Sequence, residues 1–98
     1  FGVRAPMVGH MGDGNFHVVL PYDPAKKEMY KQIRAFNDTL IKKALELNGT
    51  ITGEHGVGLH KKEYLLEQHP DNIPVMKSIK RTLDPNNIMN PGKIFDLN

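Results

Sequence analysis

Four side chains in this sequence have the types and the spacing to do chemistry together: His10, His17, Glu54 and His55. The first two histidines stand on either side of Gly12-Asp13-Gly14, a tight polar stretch. Two imidazoles and one carboxylate make a ligand set that takes zinc, iron(II) or manganese(II) and leaves coordination positions open for water or substrate. Glu54 is the candidate third ligand. His55 follows it directly, and adjacent residues do not easily reach one ion while both keep good geometry. His55 is therefore better placed as a general base beside the metal, because an imidazole exchanges protons near neutral pH. A substrate hydroxyl bound to the ion would be acidified, and His55 could take its proton. His60 and His69 have no comparable company and are given no role.

The elements that must position these residues follow from local patterns. Asp13-Gly14 is a strong hairpin signal, suited to a two-residue type I′ turn. Counting outward from that turn pairs His10 with His17, Met11 with Phe16 and Val8 with Val19, with strands over 3–9 and 16–20. One face then reads Met7, Gly9, Met11, Phe16, Val18 and Leu20, an apolar core side. The other reads Val8, His10, Gly12, Asn15, His17 and Val19, so both imidazoles share it. Asp23-Pro24 predicts a helix start, with Asp23 as N-cap and Pro24 in the first turn. Met29, Ile33, Phe36, Leu40, Ala44 and Leu47 form its apolar stripe, and Asn48-Gly49 is its stop. The stripe should pack on the apolar side of the hairpin. Thr50-Ile51-Thr52 is a short β-prone run, and Gly53, Gly56 and Gly58 leave Glu54 and His55 uncrowded. Shorter helices are predicted over 60–68 and 73–83, the second carrying Ile73, Met76, Ile79 and Leu83 and stopped by Asp84-Pro85. A turn-rich tail completes an α+β pattern.

Composition narrows the classes. The 98 residues are 39% hydrophobic, enough for one modest core or a piece of one. The chain begins Phe1-Gly2-Val3 without an initiator Met and reads as a fragment of a longer protein. Thirteen basic against eleven acidic residues give a formal charge of +2. The basic pairs Lys26-Lys27, Lys42-Lys43, Lys61-Lys62 and Lys80-Arg81 read as solvated helix faces, because no dense basic stripe with interleaved aromatics suggests nucleic acid. There is no cysteine, hence no disulfide or thiolate site, and no apolar run long enough to span a bilayer. The sequence also lacks a dinucleotide fingerprint, a phosphate loop, His-Glu-x-x-His and Gly-x-Ser-x-Gly.

Three stretches together carry a resemblance: Gly9-His-Met-Gly-Asp-Gly-Asn-Phe-His17, Gly49-Thr-Ile-Thr-Gly-Glu-His-Gly-Val-Gly58 and Leu83-Asp-Pro-Asn-Asn-Ile-Met-Asn-Pro-Gly-Lys-Ile94. In order and over nearly the whole chain, they resemble the C-terminal end of FAD-linked oxidases of the vanillyl-alcohol oxidase superfamily. The nearest likeness is to the D-lactate dehydrogenase (cytochrome) and glycolate oxidase flavoprotein-subunit group. The resemblance implies a ferredoxin-like α+β substrate or cap domain, of which residues 1–98 are a part. It also implies that FAD is bound mainly by an N-terminal domain absent from this chain, and that D-2-hydroxy acids are oxidised to 2-oxo acids. By motif match it makes His10, His17 and Glu54 divalent-metal ligands, and His55 the residue that removes the hydroxyl proton while hydride leaves for the flavin. Asn90 matches a residue close to the flavin. D-2-hydroxyglutarate dehydrogenases carry an Asn two positions after the second metal histidine. Val19 stands there instead, which favours lactate or glycolate over a dicarboxylate.

The expected partner is thus a small 2-hydroxy acid, with the electron acceptor unassigned. The expected location is the cytoplasm or, in a eukaryote, the mitochondrion, with membrane association through redox partners at most. The fragment itself should be inactive, and its exposed apolar surface would let it self-associate. Two other readings stand beside this one: a flavin-independent metal enzyme, which leaves the Asn-Pro-Gly-Lys tail unexplained, and a non-catalytic ferredoxin-like interaction module, in which no metal binds.

Overall fold

The computed structural model describes residues 2–98. It is an α+β arrangement of one antiparallel hairpin and three helices, as the patterns predict. The chain divides into two compact units, Phe1–Glu54 and His55–Asn98.

The first unit opens with the hairpin, β1 (Met7–His10) and β2 (Asn15–Val18). Its register pairs Met7 with Val18, Val8 with His17, Gly9 with Phe16 and His10 with Asn15. The two-residue turn at Asp13-Gly14 is therefore replaced by a longer connection. Met11–Asp13 make one 3₁₀ turn, and Gly14 closes it at φ 72°, its N–H donating to the Met11 carbonyl at 3.1 Å. A type I′ turn needs positive φ at two positions. Here Gly14 alone supplies it, and Asp13 keeps an ordinary backbone. The pairing consequently shifts by two residues from the predicted one. The Val19 N–H still donates to the Pro6 carbonyl at 2.9 Å, extending the ladder outward.

The long helix α1 (Lys27–Glu46) starts later than the Asp23-Pro24 signal implies. Asp23 is occupied locally: its carboxylate accepts from the Ala25 N–H at 3.0 Å and its carbonyl from the Lys26 N–H at 2.9 Å. It makes an Asx-type turn ahead of the helix. The C-terminus behaves as predicted. Asn48 adopts φ 62°, the Gly49 N–H reaches back to the Ala44 carbonyl at 2.7 Å, and the Asn48 N–H reaches the Leu45 carbonyl at 3.0 Å. That pair of bonds is a Schellman motif.

The buried apolar residues of this unit are Ile33, Ile41 and Ile51. Ile41 lies off the predicted stripe, while Leu47, on it, is exposed. The apolar side of the hairpin is covered only in part, with Met7 at 64% and Phe16 at 41% exposure. Among the described residues α1 makes no extended contact with the hairpin, so the expected packing of its stripe there is not found. The Thr50–Thr52 run forms no strand. Instead the Thr50 hydroxyl donates to the Thr52 carbonyl at 2.6 Å, and Ile51 turns inward.

The second unit carries α2 (Lys62–Gln68) and α3 (Ile73–Leu83), both close to their predicted limits. Leu65 and Ile73 are its buried apolar residues. The tail is held by side chains that composition alone assigned to solvent. Lys62 Nζ donates to the Gly92 carbonyl at 3.1 Å and to Asp96 Oδ1 at 2.8 Å. Arg81 donates to the Leu97 carbonyl, and Lys80 to the Met89 carbonyl at 2.6 Å. Asp84 is the centre of this arrangement. It is buried, bonded by Lys80, and accepts the N–H groups of Ile88 at 3.0 Å and Met89 at 2.9 Å. The Lys80 ammonium, followed by the Met89 amide, holds its carboxyl below the usual carboxylate range. Among the described residues no helix is long and apolar enough to cross a membrane.

Candidate functional site

His10 ends β1 and His17 lies within β2. The two-residue shift makes them diagonal neighbours instead of directly opposed partners. It leaves them on one face of the ribbon, because side chains repeat every two residues. Diagonal neighbours remain within reach of long side chains.

Glu54, the last residue of the first unit, comes to that same face. Its Oε1 lies 2.9 Å from His17 Nε2 and its Oε2 lies 4.0 Å from His10 Nε2. One carboxylate thus addresses both imidazoles, one oxygen to each. None of the three is deeply buried, with side-chain exposures of 68% for His10, 28% for His17 and 47% for Glu54. A surface ion pair of this kind contributes little to stability.

The His17–Glu54 pair has the spacing of two ligands of one divalent ion, and His10 stands outside that spacing. Imidazole nitrogen and carboxylate oxygen bind zinc at about 2.0–2.2 Å, which sets neighbouring ligand atoms roughly 3 Å apart. The His17–Glu54 pair is already at that spacing. The His10–Glu54 pair is about an ångström wider, and the exposed His10 ring has room to close it.

His55 is the next residue along the chain and the first of the second unit, and it is exposed. Asn90 lies in that unit's tail, exposed, at φ 47°, with its carbonyl accepting the Lys93 N–H at 3.3 Å. Val19 is half exposed and shares the face of His17. His60 is exposed, and His69 caps α2, its N–H donating to the Leu65 carbonyl at 2.8 Å. The sequence patterns assigned Asp84 only to a helix stop and Asn15 only to a face of the hairpin. Asp84 could have been found from its spacing of four from Lys80 ahead of a proline. Asn15 could have been found as the one amide side chain on the histidine face of the hairpin.

The family described as FAD linked oxidases, C-terminal domain, matches residues 1–94. The chain belongs to that family. It is 45% identical over 96 residues to a probable mitochondrial D-lactate dehydrogenase of Danio rerio, covering 97% of this chain and 19% of that protein. It is 44% identical over 88 residues to the glycolate oxidase subunit GlcD of Bacillus subtilis, covering 89% of this chain and 19% of that one. It is 42% identical over 90 residues to a D-2-hydroxyglutarate dehydrogenase of Stutzerimonas stutzeri, again covering 89% and 19%. The chain spans about a fifth of the length of these curated relatives. FAD is the cofactor the family name carries, and hydroxy acids are the substrates its relatives are named for.

Proposed function

We propose that this chain is the substrate-side C-terminal part of an FAD-dependent D-2-hydroxy-acid dehydrogenase of the D-lactate or glycolate type, with the flavin held mainly by residues outside these 98. The observation that carries the reading is the Glu54 carboxylate spanning His10 and His17. His10, His17 and Glu54 would hold a divalent cation. When bound, the cation supplies positive charge that acidifies a hydroxyl placed against it, and FAD supplies the two-electron acceptor.

The protein's own residues account for the rest. Oxidation of a 2-hydroxy acid to a 2-oxo acid removes the hydroxyl proton and, from the α-carbon, a hydrogen with its electron pair. His55 takes the hydroxyl proton on a ring nitrogen. Its chain position next to Glu54 keeps that base one residue from the ligand set. Asn90 lies towards the flavin in this reading. Val19 offers no polar group to a second carboxylate, which suits a substrate whose remaining substituent is hydrogen or methyl.

The test is made in the full-length enzyme. His55→Ala should lower kcat by about 10²–10⁴-fold, the usual contribution of a positioned general base, while metal content by elemental analysis stays near that of the parent. Unchanged turnover removes His55 from the mechanism. His17→Ala, by contrast, should lose the metal as well as the turnover.

A further inference from the structure

We infer that Asn15 is a positioning residue, whose side chain stops against Gly53 and so sets where Glu54 meets the two imidazoles. Asn15 faces His10 across the hairpin and precedes His17 by two, which puts it on the ligand face. Its side-chain oxygen is buried and has no hydrogen-bond partner. A buried acceptor left unpaired is uncommon and calls for a reason.

Gly53 supplies one. A Cβ added there would lie 2.1 Å from Asn15 Oδ1 and 3.1 Å from Asn15 Cγ. Gly53 does not sit in the left-handed region, unlike Gly56 and Gly58. Its lack of a side chain is thus a matter of space and not of backbone freedom. The end of the Asn15 side chain rests where a side chain of residue 53 would begin. This contact joins the hairpin to the residue directly before Glu54. A larger residue at 53 must displace the Asn15 amide or the chain that carries Glu54, and a smaller one at 15 removes the stop. The steric relation is the same whichever end of the amide faces Gly53. Asn15 and Gly53 therefore work as an outer support for the ligand set, the kind of contact that orients ligands without touching the ion.

The consequence for metal rests on the function proposed above, and the contact itself does not. The full-length enzyme, stripped of metal, is titrated with Mn²⁺ calorimetrically, as parent, Gly53→Ala, Asn15→Ala and the double variant, with thermal melting as a check on folding. The single variants should weaken Mn²⁺ binding by about 10–100-fold, the range seen when outer supports of metal ligands are removed. The double variant should recover most of the loss, because the new methyl occupies the space the amide vacates. The ring resonances of His17 provide a second readout, since they sense the Glu54 carboxylate with no ion present. Gly53→Ala should move them towards their positions in Glu54→Gln, and the double variant should move them back. If the parent binds no Mn²⁺, the metal assignment fails and the His17 resonances alone decide the inference. Single variants that match the parent in both readouts, or a double variant whose losses simply add, overturn it.

Discussion

Gly9→Ala is the most direct test of the hairpin on which both histidines stand. A Cβ at residue 9 would lie 2.4 Å from the Asn15 carbonyl oxygen and 2.5 Å from the Phe16 Cα. Both are backbone atoms of the facing strand, so no rotamer change relieves the clash. β2 must retreat by more than half an ångström before the contact reaches even the tightest values that real side chains show. Over-packing of this kind costs about 1–3 kcal/mol, and each ladder hydrogen bond stretched past its range gives up about 0.5–1.5 kcal/mol more. A loss of roughly 2–4 kcal/mol for the first unit follows. At about 4–8 °C per kcal/mol for a unit this small, the melting midpoint should fall by at least about 8 °C. Circular dichroism reads the midpoint. Amide exchange at Val19, whose N–H bonds to Pro6 across the outer end of the ladder, reads the hairpin alone and should accelerate about 30-fold or more. Gly12→Ala is the control, since a Cβ there meets nothing within 4 Å. A Gly9→Ala melt as close to the parent as that of Gly12→Ala would refute the close-approach account.

Two further outcomes follow from the caps and the tail. Asp84→Asn should destabilise the second unit at neutral pH. Because the folded carboxyl titrates below its unfolded range, its contribution is present above about pH 4 and lost as pH falls through the folded value. The gap between parent and Asp84→Asn in thermal melts should therefore close on acidification, and a pH-independent gap would contradict the sign. Asn48→Gly should leave the end of α1 intact, whereas Asn48→Ala should cost on the order of 1 kcal/mol, because Asn48 sits at φ 62° where a Cβ is strained; equal urea midpoints for the two would count against the cap.

The helices were the most legible part of the sequence. Asn72-Ile73-Pro74 and Asp84-Pro85 bracket α3 with residues that respectively favour and forbid helix, so both limits were readable from local chemistry. The start of α1 was not, because Asp23 had two local uses and took the turn. The hairpin turn was misjudged for a related reason: Asp13-Gly14 satisfies a two-residue turn on paper, but a longer loop needs only one left-handed residue. The approach of Glu54 to His17 was foreshadowed by ligand types and glycine spacing. The part played by Asn15 was not, since steric stops depend on a contact between residues 38 positions apart. The latching of the tail by Lys62, Lys80 and Arg81 was hidden similarly, because charge counts do not say which cations meet backbone carbonyls.

The two-residue shift in strand pairing sets an arithmetic limit on how this loop can vary. Adding or removing residues between His10 and His17 in even numbers slides one strand past the other and still presents both rings to the same side. An odd change turns one ring to the opposite side only where the Met11–Gly14 connection keeps its length, since a residue taken up in that connection leaves the register as it is. A single residue grafted within β2 between Asn15 and His17 would therefore separate the two rings, whereas the same graft within the Met11–Gly14 connection would spare them.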